Sequence, residues 1–402
     1  MRQEPWDGAG PAEDQVRFGS SREPRPRRPL ARYLVAAVAI AGSVAVAITT
    51  HGHEQSAAGG RGTSRADRWY AVSSTIAVKA LGRPLLDDHP GWELLAAGTG
   101  AEPGSGGTAV LVRIQFAAGQ ITRTKLPQLL SSGPVFLIPG PGQAIVRPLD
   151  NVAGYLVPDN KPARELPAAL GEGGVVFPGP RPGQLWIPAR SGAQPALRLV
   201  AMNGTAAGQS IRQLAAGGPS SAPVLSAPDG QGYVLIQGDD AAYDARPAGT
   251  RRVAAGTVTA VGSSGWLVSR CHSATRCVNT VIDPATGIGR ILPGSADLTG
   301  YPVEGSWPPG LISPNGRLAA VVSSGPDNSQ IMNLVDLRTG TDRAIALPHG
   351  AGAGMAWSPD SQWLFSVTGN GALQVIEPAT DHIRGIGVSL PPVRYLTIGQ
   401  AG

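Results

Sequence analysis

Lysine is nearly missing from this chain. It occurs only at positions 79, 125 and 161 of 402 residues, and arginine carries almost all of the positive charge. Such a bias points to a GC-rich genome more than to any function. The formal net charge is +5, and residues 1–32 hold seven arginines against five acidic residues. The rest of the chain is therefore left with only about +3, which is no electrostatic footprint for nucleic acid. Aromatic residues make up 5% and cysteine occurs twice. Helical apolar periodicity is hard to find after residue 90, which argues against a helical or doubly wound fold.

Catalytic motifs are missing too. No Gly-x-Ser-x-Gly, His-Glu-x-x-His or Cys-x-x-Cys occurs, and "GSSG" at 262–265 has the spacing of a turn. The six histidines, at 51, 53, 89, 272, 349 and 382, are scattered. "DDH" at 87–89 precedes a Pro-Gly turn and reads as part of it. Asp239, Asp240 and Asp244 in "QGDDAAYD" lack the calcium-loop pattern and its distal glutamate, so a hairpin turn is the better reading. "NGT" at 203–205 matches a glycosylation acceptor but carries little weight in a chain of bacterial composition. No catalytic residue, cofactor or metal is expected. A constellation drawn from separate strands would escape such a motif search.

What is present begins with a tripartite N-terminus. Residues 1–32 have almost no apolar pattern and read as a disordered tail. Residues 33–50, "YLVAAVAIAGSVAVAITT", run without a charge, near the short end of what spans a bilayer as a helix. Arg25, Arg27, Arg28 and Arg32 precede that run, and no lysine or arginine follows until Arg61. The positive-inside rule then places the N-terminus in the cytoplasm and the bulk of the chain outside. "AVA" at 45–47 leaves a cleaved signal peptide as the alternative, against which the long leading segment argues. Residues 51–67 are a Gly/Ser/Ala-rich tether, and residues 68–402 form the exported domain. Cys271 and Cys277 both fall there, in "WLVSRCHSATRCVNTVID", where two apolar runs flank a short loop. A disulfide across the base of a hairpin is expected in an oxidising compartment.

The exported part repeats. "GMAWSPDSQWLFSV" (354–367) has an apolar run, a Ser-Pro-Asp-Ser turn and a second apolar run. "GLISPNGRLAAVV" (310–322) and "PVLSAPDGQGYVLI" (223–236) follow the same plan. A third run and a turn come next in "TVIDPATG", "NLVDLRTG" and "QVIEPATD". A fourth run then carries Arg123, Arg164, Arg212, Arg251, Arg290, Arg343 or Arg384. The spacing averages about 45 residues, the four-strand period of a propeller blade.

The fold expected is all-β, a β-propeller of about seven four-stranded blades (six or eight are possible), preceded by one transmembrane helix. The arginines would guard each outermost edge against pairing with other chains. Closure is expected from "VRYLTI" (393–398) as the innermost strand beside "WELLAAG". "WYAVSSTIAV" (69–78) competes for that slot or packs against the ring.

"LISPNGRLAAVVSS…IMNLVDLRTG" and "AWSPDSQWLFSV…LQVIEPATD" resemble the WD40-like propeller repeats of TolB-type proteins, with their W-S-P-D-G-type turn between the first and second strands. The resemblance covers the last two units well, the fourth partly and the others by plan. Ser361 stands where that turn has glycine, and the Gly-His and Trp-Asp pairs of WD40 repeats are missing. It implies a propeller and a role in binding, and it carries no catalytic residue across. The leading expectation is a membrane-anchored, extracytoplasmic, non-catalytic module that binds a protein or a cell-envelope glycan. A propeller hydrolase or lyase, and a sensor signalling through the 32-residue tail, are the alternatives.

Overall fold

The computed structural model describes residues 70–400, apart from 72–74, 87–90, 100–107, 130–134, 149–153, 160, 167–175, 192–193, 213–224, 239–240, 274–275, 294–309, 325–329, 346–353, 369–370 and 391–392. All lie in one compact unit, Ala58–Gly402. The described residues form thirty strands and no helix. No helix among them is long and apolar enough to cross a membrane, and the expected spanning segment at 33–50 lies outside the described residues.

The architecture is an all-β, propeller-like arrangement of antiparallel meanders, each running from an inner to an outer strand. Meander 1 is built from Trp92–Thr99, Thr108–Gln115 and Gln120–Leu129, with Val393–Gln400 as its innermost strand. Meanders 2, 3 and 4 occupy residues 135–165, 177–212 and 225–255. Meanders 5 and 6, residues 257–291 and 310–345, join into one eight-stranded sheet through a single parallel pair, Val261 with Leu311. Meander 7 occupies residues 355–389.

The unbroken apolar runs have a direct packing reason. Successive side chains of a strand point to opposite faces. In Trp92–Thr99, Leu94 and Ala96 pack with Phe365, Val367 and Val375 of meander 7. Leu95 and Ala97 pack with Leu137, Val146 and Val157 of meander 2. Both faces are therefore covered, and alternation of polar and apolar residues is lost. The same sharing recurs along the chain. Apolar clusters lie between meanders 2 and 3, 3 and 4, 4 and 5, 5 and 6, and 6 and 7. The cluster joining meander 7 to meander 1 brings the last strands back to the first.

That return is made by Val393–Gln400, which pairs antiparallel with Trp92–Thr99 from Trp92–Gln400 to Gly98–Val393. The rival stretch at 69–78 takes another place. Thr75–Ala80 lies outside Gln120–Leu129, with Ala77 opposite Arg123. Tyr70–Ala71 pairs outside Arg164–Glu165 in meander 2. One segment of chain thus adds a fifth strand to the outer edges of two neighbouring meanders.

Candidate functional site

The expected register arginines do more than line edges. Arg251 of meander 4 donates to the carbonyl oxygen of Pro284 in meander 5 at 3.0 Å. Arg290 of meander 5 donates to the carbonyl of Leu337 in meander 6 at 2.5 Å. Arg343 of meander 6 donates to the carbonyl of Pro378 in meander 7 and pairs with Asp381 at 2.7 Å. The three acceptors are the second residues of the repeated turns "DPATG", "DLRTG" and "EPATD". Each of these three outer strands therefore latches onto the turn of the next meander. The outer strands carrying Arg123 and Arg164 are covered by residues 75–80 and 70–71, so those arginines guard no open edge.

The turns are preorganised to present those carbonyls. Asp283 Oδ1 accepts the N–H groups of Ala285 and Thr286, and Asp336 Oδ1 accepts those of Arg338 and Thr339. The Ala285 and Thr286 bonds hold the Asp283 carboxyl below its ordinary value. Gly340, at φ 75°, closes the second turn against the carbonyl of Pro293, where an added Cβ would sit 1.9 Å from oxygen. Asp381 holds the corresponding left-handed position in the third turn at φ 58°.

Two groups of buried charge occur at the seams. Between meanders 1 and 2, Arg113 pairs with Glu93 and with Asp159 at 2.5 Å, and donates to the carbonyl of Val157 at 2.8 Å. Burial pushes the Glu93 carboxyl up to about 7, although the Arg113 charge pulls the other way. In meander 4, Asp244 accepts from Arg246 at 2.6 Å and from Arg251 at 3.4 Å. Asp229 Oδ1 accepts the N–H groups of Gln231 and Tyr233, both at 2.7 Å. Burial raises both aspartates above the ordinary carboxylate range. Arg246 also stacks on Tyr233 at 4.9 Å and donates to the Pro284 carbonyl of meander 5. These carboxylates face guanidinium groups and turn amides, an arrangement that joins sheets.

Indole groups add a second set of links. Trp186 donates to the carbonyl of Gly232, Trp266 to that of Asp229 and Trp357 to that of Leu311, each across a seam. The Ser-Pro turns are locked internally: Ser313 Oγ accepts the Leu318 N–H, and Ser358 Oγ accepts that of Trp363. Adjacent turns touch where the Asn315 N–H donates to Ser361 Oγ at 3.0 Å.

Of the residues singled out in the sequence, Cys271 and Cys277 are directly opposite in the hairpin register and joined by a disulfide. Asp244 belongs to the arginine cluster rather than to a calcium loop, while positions 239 and 240 lie outside the described residues. Positions 87–89, 51, 53 and 349 also lie outside them. His272 and His382 are exposed. Among the described residues, no three His, Cys, Asp or Glu side chains converge as metal ligands. Sequence reading missed Glu93 and Arg113, since their alignment depends on strands 20 residues apart. A charged residue inside each of two apolar runs, "WELLAAG" and "TAVLVRIQF", was the available signal.

No protein-family model matches the chain, and neither does any curated protein. Among solved structures it is similar to TolB from Acinetobacter baumannii, with 13% identity over 77% of this chain and 66% of that one, at a TM-score of 0.41. A 6-phosphogluconolactonase-like protein from Bacteroides uniformis gives 12% identity over 77% and 100%, at 0.48. A puromycin-hydrolysing peptidase from Mycobacterium tuberculosis gives 14% identity over 81% of this chain and 55% of that one, at 0.44. Likeness at this level carries no functional argument.

Proposed function

We propose that the chain is a membrane-anchored, extracytoplasmic propeller of seven four-stranded blades that serves as a non-catalytic binding or scaffold module for a protein or glycan of the cell envelope. What supports the blade count is the run of seven meanders and the apolar clusters that link each to the next and the last to the first. The anchor and the orientation rest on residues 33–50 and the arginines before them. The observation that carries the binding role is the use of buried charge. Glu93, Arg113, Asp159 and Asp244 all bind partners across or beside a blade seam. These charges stiffen the scaffold that carries the connecting loops, the segments on which binding residues are usually placed.

The test uses the full chain, purified in detergent micelles and immobilised. A solubilised envelope fraction is passed over it, and what is retained is identified. In parallel, the chain is assayed against generic lactone, ester and peptide substrates. Specific retention without turnover supports the module. Turnover abolished by substitution at one channel mouth would replace it with the enzyme reading. A reporter fused after residue 402 and active only outside the cytoplasm tests the orientation.

A further inference from the structure

The outermost strand of meander 1, Thr75–Ala80, is the last in its sheet, so among the described residues its outer edge meets no other strand. Lysine is rare in this chain, yet two of its three lysines come together here. In the register with Gln120–Leu129, Lys79 lies opposite Ile121 and Ala77 opposite Arg123. Paired residues share a face, as do alternate residues of one strand, so Lys79, Arg123 and Lys125 stand on one face. Ile121 is buried on that same face, in the cluster shared with meander 7, but all three cations are exposed. Neither strand contains an acidic residue. Val78 points to the opposite face and is 54% exposed, one of three large apolar side chains left open among the described residues.

An exposed lysine on an edge strand ordinarily wards off pairing with other chains. That role accounts for Lys79, but not for Lys125 one strand further in, nor for an exposed valine on the edge itself. An outermost strand that meets a surface edge-on presents both of its faces to it. Lysine then reaches anionic headgroups on one side, while valine enters the boundary between headgroups and acyl chains on the other. The place of the strand in the chain argues for the same surface. Nineteen residues, 51–69, separate the apolar run at 33–50 from Tyr70. A Gly/Ser-rich segment of that length spans about 25 Å on average. With the apolar run as anchor, the edges covered by Tyr70–Ala71 and Thr75–Ala80 are the part of the domain tethered nearest to the bilayer.

We propose that this edge docks on the membrane that anchors the chain, with Lys79 and Lys125 on anionic lipid headgroups and Val78 in the interface. This contact rests on the anchored reading proposed above and names the lipid chemistry that the exported domain meets.

The test uses the full chain reconstituted into lipid nanodiscs, with a nitroxide attached at V78C or, as a control, at I288C on meander 5. The native cysteines are joined to each other, so each variant offers one reactive thiol. Ile288 is also apolar and 71% exposed, which matches the chemistry of the test position. Access of a water-soluble nickel chelate to the label is read by power saturation. In discs with about one third phosphatidylglycerol, access at V78C should fall about fivefold relative to phosphatidylcholine discs, and access at I288C should stay the same. K79Q/K125Q should lower the docked-to-undocked ratio about tenfold or more at an unchanged melting temperature, and K79R/K125R should preserve it. Equal shielding of both labels, shielding that persists in K79Q/K125Q, or no shielding in discs that hold the chain overturns the contact and leaves the anchor standing. Shielding of V78C by soluble poly(glycerol phosphate) in neutral discs assigns the edge to a polymer and overturns it as well. A chain that fails to co-elute with the discs refutes the anchor instead. The edge is then read by sedimentation of the chain with vesicles of the same lipids. Binding lost in K79Q/K125Q keeps the contact, and no binding overturns it.

Discussion

Ser361 illustrates how a single residue reports on the repeat. It occupies the left-handed position of the Ser-Pro turn at φ 66°, where the preceding unit has Gly316 at φ 71°. An L-residue there costs about 1–2 kcal/mol relative to glycine. Ser361 Oγ recovers part of this by accepting the Asn315 N–H of the neighbouring turn. Ser361→Ala keeps the strain and loses the bond, so it is expected to destabilise by about 1 kcal/mol. Ser361→Gly loses the bond and the strain together, so it should stay near wild type. Urea unfolding of both variants checks this, and equal midpoints would remove the account of the turn.

Glu93 supplies a pH dependence at the same scale. Its folded value, about 7, lies above the ordinary 4.5, so the folded state holds the proton more tightly than the unfolded state. Stability from this group is therefore fully present below about 4.5 and declines as pH rises toward 7. The whole excursion amounts to at most about 3 kcal/mol. Asp229 and Asp244 are shifted in the same direction and add to the slope. The wild-type midpoint should fall between pH 5 and pH 8, and Glu93→Gln should fall less. A parallel pair of pH profiles would show that Glu93 titrates normally.

At the scale of the strand, the latch from Arg290 to the Leu337 carbonyl distinguishes two roles for a repeated arginine. A guard against edge pairing alters solubility alone, whereas a latch alters stability. Arg290→Met is expected to cost about 1 kcal/mol in urea unfolding while the protein keeps its oligomeric state in light scattering. Loss of solubility with an unchanged midpoint would restore the guard. The disulfide belongs to the same scale. Cys271→Ser with Cys277→Ser should lower stability by about 2 kcal/mol, the loop being short. The hairpin of meander 5 should then exchange its amide hydrogens faster than the rest of its sheet.

For the whole molecule, stability depends on how the ends meet. Leu396 is buried in the cluster between meanders 7 and 1, on the strand that pairs with Trp92–Thr99. Leu396→Ala should cost about 2–5 kcal/mol, the range for a truncated core leucine. Because every meander has a neighbour on each side, the loss should shift one cooperative transition rather than split it. A calorimetric trace with two separated transitions would mean that the closing strand supports only meander 1.

The repeat, the order of runs within each unit and the arginine-bearing fourth strands were legible in the amino-acid order alone. Those features are local. Apolar runs of strand length, Ser-Pro-Asp turns and a charged residue in each outer strand follow from pleating and turn geometry within some 45 residues. The hairpin holding Cys271 and Cys277 was legible for the same reason. Three matters were decided only by tertiary structure. The stretch at 69–78 had two places open to it, the innermost slot or packing against the ring, and long-range pairing put Tyr70–Ala71 on the outer edge of meander 2 and Thr75–Ala80 on that of meander 1. The register arginines found their acceptors in the next unit, at a separation no local pattern encodes. The Glu93–Arg113–Asp159 group also needed two meanders brought face to face, because charges in apolar runs acquire partners only when the faces that carry them are packed together.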